Sequence, residues 1–275
     1  MRRFSLRSSA AALLCMSASL TLASTPAAAQ ESTVPNTRPI GETYRIEVAG
    51  GMWQPTVSGI ISSEQFGIPG SAIDFVSDLG FTTTRFTDGR LVLRPAKKHK
   101  FRVQYTPVSY SAESKLTRSL VFNGLTYAVN LPVNSTFDWK VWRFGYEYDV
   151  IYTDRGYLGI ILEGRYTEMN ASLVSPINSE YTRAKAPLPA AGAVIRLYPI
   201  RNVSITGEIT GFKLPDIGED YEANYADIDV YATINLMNNV GVQGGWRRMN
   251  SFLRVETDQG DVKFQGGWVG VVIRY

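Results

Sequence analysis

The stretch WRFGYEYDV, residues 142–150, alternates apolar or aromatic side chains with polar or charged ones. The even-numbered positions include Trp142, Phe144 and Tyr146, whereas the odd-numbered positions include Arg143 and Glu147. Successive side chains of a β-strand point to opposite faces, so this stretch predicts a strand with one apolar and one charged face. The period alone does not distinguish a soluble β-sandwich from a membrane barrel.

The same period recurs along the chain and predicts ten strands. Several of them supply the roughly 9 to 11 residues that a tilted strand needs to cross a bilayer. Tyr and Trp residues lie near their ends, as in the interfacial girdles of membrane barrels. These aromatic residues are Trp139, Trp142, Tyr152, Tyr157, Tyr198, Trp246, Trp268 and Tyr275. The predicted strands are approximately residues 44–53, 84–94, 100–111, 137–152, 156–172, 188–198, 203–213, 225–236, 240–255 and 262–275.

The connections between these strands alternate in length. Short ones fall at residues 95–99, 153–156, 199–202 and 237–239, and longer ones at 54–82, 115–134, 175–187 and 214–223, with a brief one at 258–260. Short periplasmic turns and longer outer loops are typical of outer-membrane barrels. We therefore predict an all-β fold, a transmembrane antiparallel up-and-down β-barrel of about ten strands with both termini periplasmic. Eight strands are the alternative if residues 84–94 form no strand, and twelve if residues 120–129 add a hairpin.

The first residues predict export. Arg2, Arg3 and Arg7 precede an apolar run that ends in three alanines at residues 27–29, as in a cleaved Sec signal peptide. A membrane-spanning anchor is the alternative, but polar residues interrupt the run before it reaches the ~20 apolar residues required. Cys15, the single cysteine, would leave with the signal, so no disulfide is expected. The predicted organisation is a signal peptide (1–29), a periplasmic leader (30–42) and an outer-membrane β-barrel domain (43–275).

A motif after the first predicted strand, GSAIDFVSDLGF at residues 70–81, carries a family resemblance. It resembles the G-x-x-I-D-x-x-x-D-L-G-[FL] loop of poorly characterised outer-membrane β-barrel proteins of Gram-negative bacteria. Residues 143–148, 185–189 and 227–230 are similar to further segments of that family. The resemblance implies the barrel fold and an outer-membrane location, and it implies no catalytic residue.

The charged residues that alternate with the apolar ones along each predicted strand are candidate lumen residues. A narrow barrel must fill its interior, and buried charge is costly unless matched, so we predict a network of ion pairs that plugs the lumen. General acid–base chemistry or cation binding is the alternative, because Asp227 and Asp229 share a face at a spacing of about 6 to 7 Å. The predicted network comprises Arg45, Glu47, Arg102, Arg143, Glu147, Glu163, Arg165, Arg196, Glu208, Asp227, Asp229 and Arg247.

The motif at residues 70–81 is a candidate lid. It could form a short helix that gathers apolar side chains on one side and covers or plugs the lumen. The alternative is a loop that packs against the barrel rim. Asp74 and Asp78 lack the further acids and the glycine of a calcium loop. The candidate lid residues are Ile73, Asp74, Phe75, Asp78 and Leu79.

Other chemistry has little support in the sequence. Outer-membrane enzymes of this size, the omptin proteases among them, use an active-site histidine, and the single histidine here, His99, falls in a predicted periplasmic turn. We interpret His99 as a solvated turn residue. No zinc spacing or phosphate-binding glycine loop occurs, so no cofactor or metal is expected.

These observations predict a function only in outline. The net charge of +3 falls short of a nucleic-acid-binding signature. Expected partners are outer-membrane lipid, lipopolysaccharide and the barrel-assembly machinery, which would read the terminal Tyr275; a small-molecule ligand stays unknown. We predict a non-enzymatic outer-membrane barrel that serves envelope integrity, surface binding or narrow solute passage. The alternative is an outer-membrane enzyme that acts on lipid or peptide through lumen or loop carboxylates.

Overall fold

The computed structural model describes residues 39–62, 69–214, 221–255 and 258–275. The predicted signal peptide and most of the predicted leader lie outside these residues. No helix in the described ranges is long and apolar enough to cross a membrane. The strands are β1 (Ile46–Ser62), β2 (Ile73–Asp74), β3 (Phe86–Ala96), β4 (His99–Lys115), β5 (Leu120–Phe122), β6 (Leu125–Tyr127), β7 (Pro132–Thr153), β8 (Gly156–Val174), β9 (Ser179–Ile200), β10 (Val203–Lys213), β11 (Tyr221–Asn235), β12 (Val240–Val255) and β13 (Asp258–Arg274).

Ten of these strands close into an antiparallel barrel. The order around the wall is β13-β12-β11-β10-β9-β8-β7-β4-β3-β1, and β13 pairs with β1 from Glu47↔Arg274 to Ser62↔Gln259. The short β2 pairs with the end of β1, while β5 and β6 form a separate hairpin. The prediction of ten strands is therefore confirmed, and the alternatives of eight and twelve are wrong because β3 is in the wall and β5–β6 is not.

The barrel has two distinct ends. Residues 97–98, 154–155, 201–202 and 236–239 connect strands at one end, which we call the turn end and which also carries the start of β1 and the end of β13. The opposite end, the loop end, carries the connections after β1, β4, β8, β10 and β12. All five predicted loops at this end are partly strand: residues 54–62 continue β1, 132–134 begin β7, 179–187 belong to β9, 221–223 begin β11 and 258–260 begin β13. Neighbouring strands satisfy the backbone hydrogen bonds there, so a polar sequence does not end them.

Strand length exceeds the thickness of a membrane. The longest strands, β7 and β9, have 22 residues each, which at ~3.4 Å per residue is roughly 75 Å of chain. Even at a tilt of about 45° this is about twice the ~25 Å apolar band of an outer-membrane barrel. The loop-end half of the wall therefore extends beyond any lipid layer that surrounds the turn-end half.

The outward and inward faces of β7 show where that boundary falls. Between residues 142 and 150 the outward side chains are aromatic or apolar, such as Phe144, and the inward ones are charged, such as Arg143. Between residues 133 and 141 the same positions still point inward, but the inward side chains, such as Trp139, are now mostly apolar and the outward ones, such as Lys140, are polar. The nine residues with an apolar outer face match the length that crosses a bilayer.

Aromatic residues at strand ends divide between the two faces. Trp142 and Trp246 lie on the outer wall, as expected for a girdle, and Tyr275 is exposed at the turn end. Trp139 and Tyr157 are instead buried in the lumen. Assigning all of these residues to girdles was wrong, because Trp139 and Trp142 are three positions apart and therefore face opposite sides of the strand.

Candidate functional site: the filled lumen

Arg143 lies at the centre of the charged lumen. It projects from β7, and its guanidinium lies 3.0 Å from both Glu163 and Glu208 and 3.2 Å from Asp227. These acids come from three other strands, β8, β10 and β11. One guanidinium thus ties together four strands, and each contact is a charge-assisted hydrogen bond within a buried environment.

Asp227 is enclosed by cations. Its Oδ2 lies 2.6 Å from Arg247 Nη2 and 3.8 Å from Arg165 Nη1, in addition to Arg143. Asp229, two residues along β11, accepts a hydrogen bond of 2.9 Å from the indole N–H of Trp268. The two carboxylates have separate partners, so they do not converge on one open cleft as a general acid–base pair would.

A second group of ion pairs fills the lumen closer to the turn end. Arg102 lies 2.6 Å from Glu208 and 3.2 Å from Glu147, so it connects this group to Arg143. Lys100 lies 2.6 Å from Glu147 and 3.0 Å from Asp149. All of these side chains are less than a tenth exposed, and each charge has an opposite charge beside it, which offsets the cost of burial.

Glu42 closes the turn end. Its carboxylate contacts Arg196 at 3.0 Å and Arg94 at 3.4 Å, and it accepts a hydrogen bond from Tyr198. Gly41, with a φ of 85°, turns the chain so that Glu42 enters the barrel. This positive φ favours glycine over residues with a Cβ. Glu42 is the last residue of the predicted periplasmic leader (30–42), and the sequence analysis did not include it in the lumen network.

Arg45 was wrongly assigned to the network, because its side chain is exposed. The N–H groups of both Arg45 and Ile46 donate to the carbonyl oxygen of Tyr275. This shared acceptor interrupts the alternation at the start of β1, so Arg45 and Ile46 both point outward. Glu47 is buried and lies 2.7 Å from Arg274 and 3.7 Å from Arg90. Sequence reasoning did not place Arg94, Lys100 or Arg274 in the predicted network, although the alternation of β13 gives Arg274 an inward position.

Aromatic rings replace the ion pairs towards the loop end. The guanidinium of Arg165 stacks 3.9 Å from the ring centroid of Tyr225, and that of Arg247 lies 5.4 Å from the ring of Trp53. Beyond this boundary lies what we call the aromatic core, a cluster of buried rings. Its members are Trp53, Phe75, Phe81, Phe86, Tyr110, Phe122, Tyr127, Phe137, Trp139, Tyr225 and Phe264.

The segment from Ile73 to Leu79 covers the aromatic core. The ring of Phe75 is fully buried, 4.8 Å from that of Phe137, and Ile73 and Leu79 are buried beside it. The expectation of a short helix was wrong: Ile73 and Asp74 form β2, and a turn follows in which Asp74 caps the backbone N–H groups of Val76 and Ser77. The apolar side chains close the mouth of the barrel.

An ion pair connects the segment Ile73–Leu79, which we call the cover, to the neighbouring loop. Arg118 donates to both carboxylate oxygens of Asp78, at 3.0 and 2.6 Å, and to the carbonyl oxygen of Ala72. These hydrogen bonds from Arg118 hold the pKa of Asp78 below its ordinary value. The pair joins the cover to the connection between β4 and β5.

His99 lies on the outer wall and not in a turn. It is the first residue of β4, its Nδ1 lies 2.6 Å from the hydroxyl oxygen of Tyr146, and its ring is 5.1 Å from that of Tyr148. The turn itself consists of residues 97–98. The prediction of a solvated turn residue was wrong, because the strand begins earlier than the polar sequence suggested.

Two small cavities lie within the charged lumen. A cavity of about 20 Å³ lies between Trp53, Arg90 and Arg247, and one of about 10 Å³ lies between Tyr44, Lys100 and Arg196. Each is about large enough for one water molecule. A cavity of about 440 Å³ lies at the loop end, beside Phe137, Met169 and β9.

Solved structures share this architecture. The crystal structure of the outer membrane protease OmpT from Escherichia coli matches with a TM-score of 0.52 and 11% sequence identity over 83% of this chain and 97% of that chain. The fold is that of the outer-membrane β-barrel proteins.

Two further structures align over 84% of this chain with lower similarity. The attachment invasion locus protein Ail of Yersinia pestis gives a TM-score of 0.37 at 11% identity over 97% of its own chain. The toluene transporter TodX of Pseudomonas putida gives 0.38 at 8% identity over 90% of its own chain. No protein-family model matches the sequence, and no curated protein matches it.

Proposed function

We propose that this chain is a sealed, non-enzymatic outer-membrane barrel that presents a rigid loop end at the cell surface for structural and binding contacts. The observation that supports this most directly is the continuous filling of the lumen, by ion pairs from Glu42 to Arg247 and by rings from Trp53 to Phe75. Narrow solute passage would require a path through both fillings, and the two cavities in the charged lumen each hold about one water.

The outer surface supports the proposed location. The turn-end half carries exposed apolar side chains on every side, as lipid contact requires. We infer contacts with outer-membrane lipid and lipopolysaccharide there, and recognition of the exposed Tyr275 by the barrel-assembly machinery. Export through a signal peptide at residues 1–29 and a periplasmic leader remain predictions. The exposed apolar residues include Val48, Leu93, Phe101, Phe144, Ile160, Leu162, Ile195, Ile209, Ile228, Val242, Val269 and Ile273.

Planar-bilayer recording tests the seal. We expect the refolded wild-type barrel to insert without discrete conductance steps, while a general porin inserted under the same conditions conducts. Steady single-channel steps from the wild-type protein would overturn the proposal in favour of solute passage.

The absence of enzymatic activity is part of the proposal and is tested separately. It is supported by the enclosure of Asp227, which leaves this carboxylate no room to contact a substrate. Lipid A mass profiles and peptide cleavage should be the same in cells with and without the protein. Among the described residues, Trp268 is the hydrogen-bond donor to the carboxylate of Asp229. A new product that disappears when Asp229→Asn removes this carboxylate would establish an enzyme instead.

A further inference from the structure

Among the described residues, strand β9 has a barrel partner on only one side along its loop-end half. On one side, β8 pairs with β9 from residue 179 to residue 197. On the other side, β10 pairs with β9 only from residue 191 to residue 200, and it then continues to Lys213 in contact with β11 alone. Within the described ranges, residues 179–190 therefore form a free strand edge, which we call the β9 edge.

The sequence of the β9 edge is unsuited to a further β-strand. Pro187 and Pro189 have the same parity, so their missing N–H groups fall on the same side of the strand. Proline is tolerated in a sheet where that side faces no partner, and it prevents another strand from pairing there. A peptide strand is thus a poor ligand for this edge, and a ligand that needs no backbone hydrogen bonds fits better.

The cavity of about 440 Å³ opens at this edge. Five consecutive residues of β9, 182–186, line it. Consecutive strand residues face opposite sides, so a cavity lined by all five extends along the backbone of the free edge as well as along the inner face. The cavity is therefore bounded on one side by the β9 edge. Its volume lies within the ~300 to 1,000 Å³ of small-molecule pockets.

The lining of this cavity is mainly apolar, and its polar members besides Arg183 and Lys185 are Ser62, Thr182, Ser251, Asp258 and Gln259. Its wall includes Phe137, Met169, Ala171, Leu253 and Val262, which belong to four different strands. These side chains offer no charge to a ligand, and they would favour an alkyl chain that leaves water. Ala184 and Ala186 have the inward parity of β9 and leave the space beside them open.

The outer side of the same edge is cationic. Arg183 and Lys185 point outward and are exposed. Arg183 Nε donates to Asn170 at 2.7 Å, and Lys185 lies 3.4 Å from Glu168. On β8, the apolar outer residues end near Tyr166, so both cations lie just beyond the apolar band, at the level of membrane head groups.

We propose that the β9 edge is the lateral entry of a site for an anionic amphiphile, either a fatty acid or an anionic lipid. The alkyl chain lies in the cavity against Met169 and Ala171, and the acidic head lies beside Arg183 and Lys185. The site rests on the proposed function only in that the loop end must lie at the outer membrane surface.

Calorimetric titration of the barrel in amphipol tests this site, with dodecanoate as the probe and dodecyltrimethylammonium as the cationic control. We expect saturable 1:1 binding of dodecanoate and much weaker binding of the cation. Ala186→Phe fills the cavity and should weaken dodecanoate binding by at least about tenfold. The matched control Ala191→Phe places the same ring on the outward parity of β9 and should leave the affinity unchanged.

A second variant tests the role of charge at an exposed residue, so its result does not depend on repacking of the cavity. Arg183→Glu should weaken dodecanoate binding several-fold at low salt, with a smaller difference at high salt because exposed charges are screened. Arg155→Glu, in a turn at the opposite end, is the matched control. Wild-type affinity in Ala186→Phe, or equal binding of the anionic and cationic probes, would refute the site.

Competition identifies the source of the ligand. If phosphatidylglycerol displaces dodecanoate, the site accepts an anionic lipid; if only free fatty acids do so, it is a fatty-acid site, and either result supports the proposal. Conductance is measured independently. A barrel that conducts but binds dodecanoate refutes the sealed lumen alone, and a silent barrel without binding refutes the amphiphile site alone.

Discussion

At the turn end the lumen is filled by ion pairs, and at the loop end it is filled by aromatic rings. The outer wall shows the opposite arrangement, because Phe144 faces outward in the turn-end half and Lys140 faces outward in the loop-end half. Each half places its apolar side chains away from water. Where lipid surrounds the wall the apolar face points out, and where water surrounds it the apolar face points in, as in a soluble protein.

The two fillings should respond differently to substitution. A buried ion pair is a poor source of net stability, but removing one partner leaves the other charge buried and uncompensated. An aromatic ring contributes through the area it removes from water, and its truncation leaves a cavity into which neighbours can partly relax. The charged half should therefore be the more sensitive to single substitutions.

The largest effect is expected from Arg143→Ala. It leaves Glu163, Glu208 and Asp227 without their shared partner, and should lower the free energy of unfolding by about 3 to 5 kcal/mol. Urea unfolding of the barrel in lipid vesicles measures this loss. Arg155→Ala removes an exposed arginine from a turn and should change stability by less than about 0.5 kcal/mol. A similar, small effect for both variants would remove the distinction between the two halves.

Phe75→Ala tests the aromatic core. The lost ring packs against Phe137 and Phe81, and we expect a loss of about 3 kcal/mol. Because Phe75 lies in the connection after β1, the loss should appear first as faster proteolysis of the loop end, before the wall unfolds. Val76→Ala, at an exposed neighbouring position, is the control. If both variants resist protease as the wild type does, the cover does not depend on this ring.

An arginine placed on the outer face of the wall tests where the lipid-facing half of the barrel ends. Phe144→Arg places a cation on the apolar outer face and should cost about 2 to 4 kcal/mol if it lies near the membrane midplane. The matched substitution Glu113→Arg, on the outer face of β4 at the loop end, should cost less than about 1 kcal/mol. Folding yields and urea midpoints in vesicles compare the two variants. Equal costs would mean that the lipid layer does not end between these positions.

The smallest effect is expected from the Asp78–Arg118 pair. Since Arg118 lowers the pKa of Asp78, the pair stabilises the cover at pH values above the ordinary carboxyl range, and that contribution is lost as the pH falls through the lowered pKa. Arg118 is half exposed, so screening limits the contribution to less than about 1 kcal/mol.

Hydrogen exchange of the cover at neutral and acidic pH measures this change. Asp78→Asn should abolish the component of the pH dependence that comes from this carboxylate. An unchanged pH dependence in that variant would assign the effect to another group.

Features that depend on local alternation could be predicted from the sequence alone. The period in residues 142–150 predicted the strand and its two faces, and recurrent segments predicted ten barrel strands. The strand ends were less well predicted. Near Val141 the apolar side chains change from the outer face to the inner face of the strand, and the polar outer faces beyond this point resemble loops in the sequence.

Which side chains meet across the lumen depends on how the barrel closes. Arg143 contacts Asp227, 84 positions later in the chain, and Arg196 contacts Glu42, 154 positions earlier. Parity along a strand states that a side chain points inward, but barrel closure and the stagger of the strands set its height and its partners. The entry of Glu42 and the free β9 edge depend on those non-local relations, so no local pattern in the sequence could reveal them.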